Sequence, residues 1–330
     1  MSTNKIITIL TDPPITVHDS FSEVIRRPAR GIVGALRPPR LGHRPQYRGH
    51  PAVTRSLLDG LQSLGFPFNY NPVSSTLFFP HVHVLANPRT LRAVIPLKRA
   101  GAIGRLTAGP NIVVFANDDG SILADPAIDF VVTPSSWVSR HYLMDEPSLE
   151  GRIGEWAAGV SLDFWKFSNP KGKRNVLIYD KYDSTIGSDR TTPFTDFLIR
   201  EGLNVRTISP SNARGYVPLR YRQELEWADL MVGFSVGSES QGIAWLEAWA
   251  SGVPTFVLAS HTNVFRGRRF EASTAPYLSE QTGCFFQDLD SFKRVVREWK
   301  DGLVSFSPRK WVEVNQSDRA SALSFLELVA

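Results

Sequence analysis

Cysteine is almost absent from this sequence: Cys284 is the single one in 330 residues. One cysteine cannot form an internal disulfide, so the disulfide framework of a small secreted domain is excluded and a reducing compartment is indicated. Long apolar runs are also missing, because no stretch approaches the roughly 18 uninterrupted apolar residues that a membrane helix needs. The apolar run from Ile6 to Leu10 is too short for a signal peptide. We therefore expect a soluble, cytoplasmic protein.

Acidic residues are missing from the segment between Glu23 and Asp59, although the formal net charge of the whole chain is only +5. The arginines of this segment are Arg26, Arg27, Arg30, Arg37, Arg40, Arg44, Arg48 and Arg55. Such a segment indicates an anionic partner, for example a phosphorylated substrate or an acidic membrane surface, and a solvated loop without a partner explains it equally well. Tyr47 is its single aromatic residue, so stacking on nucleic-acid bases is disfavoured and no nucleic-acid partner is expected.

The length and composition suit two ordinary globular domains, with 42% apolar and 21% charged residues. Ser168–Lys173 is polar and contains Pro and Gly, so it is the best candidate for a linker. We predict a first domain over residues 1–168 and a second over 169–310. Apolar strand patterns alternate with helical patterns through both domains, which predicts an α/β architecture with parallel, doubly wound sheets.

Two asparagines are predicted to lie at the ends of secondary-structure elements. Asn111–Ala116 is predicted as a strand that ends just before Asn117, and Asn87 is predicted to cap a helix that ends near Arg99. The segment from Arg309 to Ala330 is predicted to be helical throughout.

The most informative stretch runs from Leu230 to Leu258. Its pattern predicts a buried strand, a Ser/Gly-rich turn, a helix to about Ser251 and a second strand from Thr255. Glu239 lies in the turn and Glu247 about two turns into the helix, on an otherwise apolar stripe. A buried carboxylate requires a partner because an unpaired buried charge is costly.

The start of this helix is the second feature of the stretch. Free backbone N–H groups and the helix dipole attract phosphate there, and Gly242 allows another group to approach the first turn. A ligand with both phosphates and vicinal hydroxyls would satisfy the amides and the carboxylates together. A nucleotide sugar is such a ligand.

The segment Glu239–Pro254 resembles the E-x7-E signature of GT-B glycosyltransferases of the family-4 type, E-x-x-G-x-x-x-x-E-A-x-A-x-G-x-P, at every fixed position. The resemblance implies two Rossmann-like domains that face a cleft, with residues 311–330 forming a helix that returns to the first domain. It also implies that Glu239 contacts the donor sugar, that Glu247 binds the ribose, and that the amides of Ser240, Gln241 and Gly242 hold the diphosphate.

The same resemblance extends to residues outside the signature. Lys181 and Arg190 stand where relatives place cations against the donor diphosphate, although the usual wording around them is absent. Tyr216 and Val217 stand near the loop that packs on the nucleobase. Cation and helix terminus together would stabilise the leaving diphosphate without a metal ion. No cofactor is expected beyond the nucleotide-sugar substrate.

The acceptor side is less defined. His83 aligns roughly with a histidine-bearing strand of relatives, Asn117 and Asp118 stand where many relatives carry His-Asp, and Arg40 lies in a loop expected near the cleft. Asp118 could act as a general base, but its surroundings also make an ordinary turn. Inversion or retention at the sugar carbon stays open.

The sequence thus predicts a metal-independent glycosyltransferase that moves a hexose or similar sugar from a nucleotide diphosphate to a hydroxyl of a glycan, a lipid-linked acceptor or another molecule. Peripheral contact with an anionic membrane remains open. The alternatives are a non-catalytic polyanion-binding protein on a decayed GT-B scaffold and a sugar-nucleotide epimerase or phosphorylase of the same architecture.

Overall fold

The computed structural model describes residues 6–15, 46–167, 172–181, 190–209, 217–235 and 237–329. Arg40, Tyr216 and most of the arginine-rich segment lie outside the described residues. The chain divides into two compact units. The first unit is Met1–Gly159 with Asp318–Ala330, and the second unit is Val160–Ser317. The predicted divisions, after residues 168 and 310, lie seven to nine residues from these boundaries.

The secondary structure alternates between strands and helices. The strands are β1 (Ile7–Leu10), β2 (Phe68–Tyr70), β3 (His81–Ala86), β4 (Arg105–Asn111), β5 (Phe130–Thr133), β6 (Ile153–Glu155), β7 (Asn175–Asp180), β8 (Asn204–Ile208), β9 (Leu230–Phe234), β10 (Thr255–Leu258), β11 (Thr262–Phe265), β12 (Arg268–Glu271) and β13 (Gly283–Phe286). The helices are α1 (His50–Ser63), α2 (Pro88–Arg99), α3 (Ser136–Asp145), α4 (Thr192–Arg200), α5 (Pro218–Trp227), α6 (Ile243–Ala250), α7 (Leu289–Lys300), α8 (Pro308–Asn315) and α9 (Asp318–Val329). Within the described ranges, every helix is too short or too polar to span a bilayer.

Each unit contains its own parallel sheet. The first unit has the strand order β2-β1-β3-β4-β5-β6, and the second has the order β13-β10-β9-β7-β8. In each sheet the second strand in sequence lies on one side of the first strand, and all later strands lie on the other side, as in doubly wound folds. The α/β prediction with parallel sheets is therefore confirmed.

Strand β4 differs from the prediction of a strand over Asn111–Ala116. It runs through Gly109 and Pro110 and ends at Asn111. Gly109 has φ +118°, and a Cβ atom there would lie 1.9 Å from the carbonyl oxygen of Val132 on β5. Glycine is required at this position because β4 and β5 approach so closely. The prediction placed the strand too late because Gly and Pro usually interrupt strands.

Helix α2 begins as predicted. The Asn87 side chain accepts a hydrogen bond of 2.8 Å from the backbone N–H of Arg89, which satisfies one of the unpaired amides of the first turn.

The C-terminal segment is two helices, α8 and α9, instead of one. The break falls at Gln316 and Ser317. Ser317 forms an isolated parallel β-bridge with Val160, and both residues belong to the second unit. Helix α9 belongs to the first unit, where Phe325 is fully buried and packs edge-on against Trp156. The junction, residues 315–319, is entirely polar, and Ser317 stands directly before α9. The prediction of one continuous helix overlooked this signal for a helix start.

Arg55 is part of the core of the first unit. Its side chain is 3% exposed and forms ion pairs with Asp59 and, through both terminal nitrogens, with Asp318 on α9. A buried guanidinium is tolerated when it is paired in this way. The inclusion of Arg55 in a basic surface segment was therefore wrong.

The second unit buries both faces of its sheet. One face packs the aromatic rings of Tyr179, Tyr221, Trp245 and Trp249. The other face packs Phe rings from β9, β10, β13 and the helices α4 and α7. Because both faces are covered, the carboxyl ends of the strands are left as the natural place for a ligand.

Candidate functional site

The carboxyl ends of β7 and β9 lie side by side in the sheet of the second unit. The order in which the chain adds strands reverses between these two strands. Lys181 directly follows β7, and Ser235 directly follows β9. These two strands are neighbours, and the next strand, β8, lies on the other side of β7. Ligands of open α/β sheets bind in the crevice at such a switch point, because the loops diverge there.

Glu239 connects the two loops at this edge. Its carboxylate Oε1 accepts hydrogen bonds from the Lys181 ammonium and, at 2.9 Å, from the Ser235 hydroxyl. The Lys181 side chain is 31% exposed and the Glu239 side chain 13% exposed. The backbone on both sides is also fixed, since Lys181 N–H donates to Phe234 O at 2.9 Å and Glu239 N–H donates to Ser273 O at 2.8 Å. The structure therefore brings together two of the predicted residues, Lys181 and Glu239, in a half-buried ion pair.

Helix α6 begins immediately after this loop. Its N-cap residue is Gly242, with φ 64° and ψ 43° in the left-handed region. Ser240 is exposed, and Gln241 is 5% exposed. An α-helix leaves its first backbone N–H groups without an intrahelical partner, and these carry the positive end of the dipole. The start of α6 thus provides amide donors on the same loop as Glu239.

The group that approaches Gly242 is Trp245 from the same helix. A Cβ atom at Gly242 would lie 2.5 Å from Trp245 Cδ1, and one at Gly233 would lie 2.4 Å from the far edge of the same ring. The indole N–H donates to the carbonyl of Thr274 at 2.9 Å. The sequence argument found the requirement for glycine but did not identify its neighbour.

Glu247 lies in the second turn of α6 and is 4% exposed. It is close to Tyr221 on α5, whose pKa is raised well above its usual value by burial first, then by Tyr179 and by the charge of Glu247. The Tyr221 hydroxyl donates to the Ala244 carbonyl at 2.9 Å, which links α5 to α6. The two carboxylates therefore differ in setting, one in a loop and one in the interior.

Two further predicted donor residues are exposed. Arg190 lies just before α4, and Val217, which is 49% exposed, lies just before α5. Both stand at helix starts that follow strands of this sheet, and their assignment to the donor stays a prediction.

In the first unit, the predicted acceptor-side residues have contrasting environments. His83 is fully buried, with Nδ1 2.9 Å from the Thr107 hydroxyl and its ring edge-on to Phe325. Burial, helped by the neighbouring His81, lowers its pKa to about 3, so the ring is neutral. Asn117 is exposed, and Asp118 is half-buried with its carboxylate accepting from the backbone N–H of Phe115 at 3.1 Å. Their acceptor roles stay predictions.

Sequence reasoning missed two polar residues of the site. Ser235 holds the Glu239 carboxylate, and Asn263 on β11 donates to the Ser238 hydroxyl at 2.8 Å. Ser235 could have been found as the first residue beyond a buried strand. Asn263 comes from a hairpin that the sequence pattern did not reveal.

Among the residues that the structure describes, no three His, Cys, Asp or Glu side chains lie together in a group that could hold a metal ion. Asp288 and Asp290, which have D-x-D spacing, flank the start of α7. Asp288 caps that helix by accepting from Ser291 N–H at 2.8 Å.

Comparison with known proteins gives matches in structure only. No family model and no curated protein matches the sequence. The apo form of the lipopolysaccharide outer core galactosyltransferase WaaB is similar, with a TM-score of 0.53 and 11% identity over 98% of this chain and 99% of that chain. HepE of Anabaena in complex with UDP gives a TM-score of 0.51 and 11% identity over 97% of this chain and 98% of that chain. The chain has the same fold as these proteins, GT-B, with two Rossmann-like domains.

Proposed function

We propose that this protein is a GT-B glycosyltransferase of the family-4 type, which moves a hexose or similar sugar from a nucleotide diphosphate to an acceptor hydroxyl. The observation that carries the proposal is the Lys181–Glu239 ion pair at the switch point between β7 and β9, beside the start of α6. A cation and the amides of a helix start suit the diphosphate of such a donor, and a carboxylate suits its sugar hydroxyls. The UDP complex of the similar protein HepE supports a uridine donor as the first to test.

The role proposed for each residue is the one that the resemblance to the family-4 signature implies. Glu239 binds the sugar hydroxyls, Glu247 binds the ribose from α6, and the amides of residues 240–242 hold the diphosphate. Lys181 exchanges part of its contact with Glu239 for a phosphate oxygen when the donor binds. The second unit is thus the donor domain, and the first unit supplies the acceptor side.

The reaction breaks the bond between the anomeric carbon and the phosphate oxygen. The acceptor oxygen forms the new bond to that carbon and gives its proton to a base, for which Asp118 is the predicted candidate, and the nucleoside diphosphate leaves with the bonding electrons. Negative charge grows on the leaving diphosphate, where the Lys181 ammonium and the α6 terminus stabilise it. Because these groups supply the positive charge, we expect turnover to persist in EDTA; loss of turnover that added Mg²⁺ restores would contradict metal independence.

The test is calorimetric titration with UDP, UDP-glucose and GDP. Glu247→Gln keeps the shape of the buried side chain and removes its charge, so UDP affinity should fall roughly 10- to 100-fold, the range for a hydrogen bond to a charged group. Lys181→Met should weaken UDP binding to a similar extent.

Matched controls exist on the same unit. Glu226→Gln on α5 and Lys293→Met on α7 remove the same charges from side chains that pair only at the surface, and both variants should bind UDP like the unsubstituted protein. Unchanged UDP affinity in Glu247→Gln and Lys181→Met would remove the proposed donor site.

A further inference from the structure

The hairpin of β11 and β12 is separate from both parallel sheets and concentrates positive charge. Between His261 and Glu271 the sequence contains three arginines, Arg266, Arg268 and Arg269, and one acid, Glu271 itself. The tip is also apolar, since Val264 is 63% exposed and Phe265 is 43% exposed. Exposed apolar side chains next to arginines are typical of surfaces that meet a membrane interface.

The strand register distributes these side chains over both faces of the hairpin. Val264 is paired with Arg269, and Phe265 with Arg268. Successive residues of a strand point to opposite faces, so each face of the tip carries one apolar side chain and one arginine. A rigid polyanion would contact one face and leave the other apolar residue in water. A layer of lipid headgroups surrounds an inserted tip on all sides, so this arrangement favours a bilayer over a soluble polyanion.

The hairpin is fixed beside the candidate donor site. Asn263 donates to the Ser238 hydroxyl at 2.8 Å, and a Cβ atom at Gly237 would lie 2.2 Å from Asn263 Oδ1. The base of the hairpin is closed by a hydrogen bond of 3.0 Å from Ala272 N–H to the His261 carbonyl. The next residue, Ser273, accepts from the backbone N–H of Glu239. The hairpin and the Lys181–Glu239 pair therefore belong to one connected group of loops at the same edge of the sheet.

We propose that the hairpin Thr262–Glu271 docks the protein on an anionic lipid bilayer. Val264 and Phe265 enter the interfacial layer, and the arginines contact lipid phosphates while their aliphatic stems lie along the apolar side chains. Docking through this hairpin would hold the loops of Lys181 and Glu239 close to the membrane surface. The inference goes beyond the proposed transfer reaction and does not depend on it.

The turn at the tip allows a variant that removes a charge without straining the backbone, and that also removes the Arg266 guanidinium from its position 5.3 Å from the centroid of the Phe265 ring. Arg266 and Gly267 have φ 50° and 74°, the conformation of two-residue hairpin turns that favour Asn-Gly. Arg266→Asn therefore removes a charge and suits the backbone at least as well as arginine does. We expect the melting temperature to be retained and binding to vesicles of phosphatidylcholine with phosphatidylglycerol to fall about fivefold, the loss typical of one arginine at an anionic surface.

The second variant tests the apolar contribution. Val264→Thr keeps a β-branched side chain in the strand, so it should preserve the hairpin and still weaken vesicle binding. Arg294→Gln on the exposed side of α7 is the charge-matched control, and its vesicle binding should equal that of the unsubstituted protein. Vesicles of phosphatidylcholine alone should bind weakly.

Three results would overturn the proposal. The first is equal binding of the unsubstituted protein and both hairpin variants, which would assign membrane contact to another segment. The second is an equal loss in Arg294→Gln, which would mean that only net charge matters. The third is binding to heparin that depends on Arg266 and not on Val264, combined with vesicle binding that ignores both residues. UDP affinity, measured without vesicles, reports separately on the donor site.

Discussion

Glu239 is the residue whose contacts most constrain the mechanism. Its carboxylate accepts from both Lys181 and Ser235, so the cation proposed to bind the diphosphate is held by the acid proposed to bind the sugar. Under the proposed roles, binding of a complete donor rearranges this pair, whereas binding of UDP alone engages only the lysine of the pair. The two carboxylates of the signature are therefore expected to respond differently to substitution.

Glu239→Gln should separate sugar recognition from nucleotide recognition. The substitution removes the charge that holds Lys181, so UDP affinity should be retained or increase. The preference for UDP-glucose over UDP should fall roughly 10-fold or more, because a charged hydrogen bond to the sugar is lost. Paired titrations with the two ligands measure this ratio, and an equal loss for both ligands would contradict a sugar-contacting role.

Gly242 is required by conformation and by packing at once. Gly242→Ala places a Cβ atom at φ 64°, 2.5 Å from Trp245 Cδ1. We expect the free energy of unfolding to fall by about 2–4 kcal/mol, the sum of left-handed strain and a core clash. Gly202→Ala is the control, since Gly202 has φ 78° with no atom within 4 Å of the added Cβ, and it should cost only about 1 kcal/mol. Equal losses in urea denaturation would mean that the Trp245 contact contributes nothing.

At the scale of the element, β3 contains two histidines that stay neutral in the folded protein. His81 and His83 both lie within hydrogen-bond distance of the Thr107 hydroxyl. Burial first, and then the nearby Arg105, lowers the pKa of His81 to about 4, although Asp129 opposes this; burial and His81 lower the pKa of His83 to about 3. An unfolded chain binds protons at these histidines near pH 6.5, so the two states differ in protonation below that pH.

The stability of the first unit should therefore fall as the pH is lowered from about 6.5 to about 4. In that range the unfolded state binds more protons, and each histidine can lower the free energy of unfolding by up to about 1.4 kcal/mol per pH unit. His83→Leu should flatten this slope in urea denaturation at pH 7.5, 6 and 5. Val84→Ala, a buried substitution on the same strand, should lower stability equally at each pH. An unchanged slope in His83→Leu would contradict the assignment.

The elements also show what could be predicted from the sequence. Strands β9 and β10 and helix α6 were predicted within two residues of their ends, apart from the helix start, because buried strands and the Gly252 cap give strong local signals. The break between α8 and α9 and the hairpin Thr262–Glu271 were missed. The hairpin turn uses Arg266 at a position that favours Asn, and its strands alternate weakly because both faces carry arginine.

The candidate site was predictable in part because several of its residues directly follow predicted parallel strands. Glu239, Lys181 and the start of α6 come from loops that follow parallel strands, so topology alone brings them to one edge. Ser235 and Asn263 act through contacts that only the folded chain shows. The basic segment illustrates the opposite case, since Arg55 looks like its neighbours in sequence and yet is buried between two aspartates.

At the scale of the whole molecule, the chain enters the first unit, leaves it at Gly159 and returns at Asp318. The returning helix α9 is structural, because Phe325 packs against both Trp156 and His83 and the Trp156 indole donates to the Ser321 carbonyl at 2.9 Å. The stability of the first unit thus depends on a segment that follows the second unit in the sequence. We expect substitutions on α9 to affect the sheet of the first unit directly.

Phe325→Ala tests this dependence. Removal of a fully buried ring leaves a cavity, so the first unit should lose about 3–5 kcal/mol, and hydrogen exchange at β3, which contains His83, should accelerate. Leu323 on the same helix is 44% exposed, so Leu323→Ala should change exchange at β3 very little. The residues of the proposed donor site all belong to the unit Val160–Ser317, and UDP affinity of folded Phe325→Ala should match that of the unsubstituted protein. Unaltered exchange at β3 would show that α9 is not needed there, whereas lost UDP affinity would show that the donor site depends on the first unit.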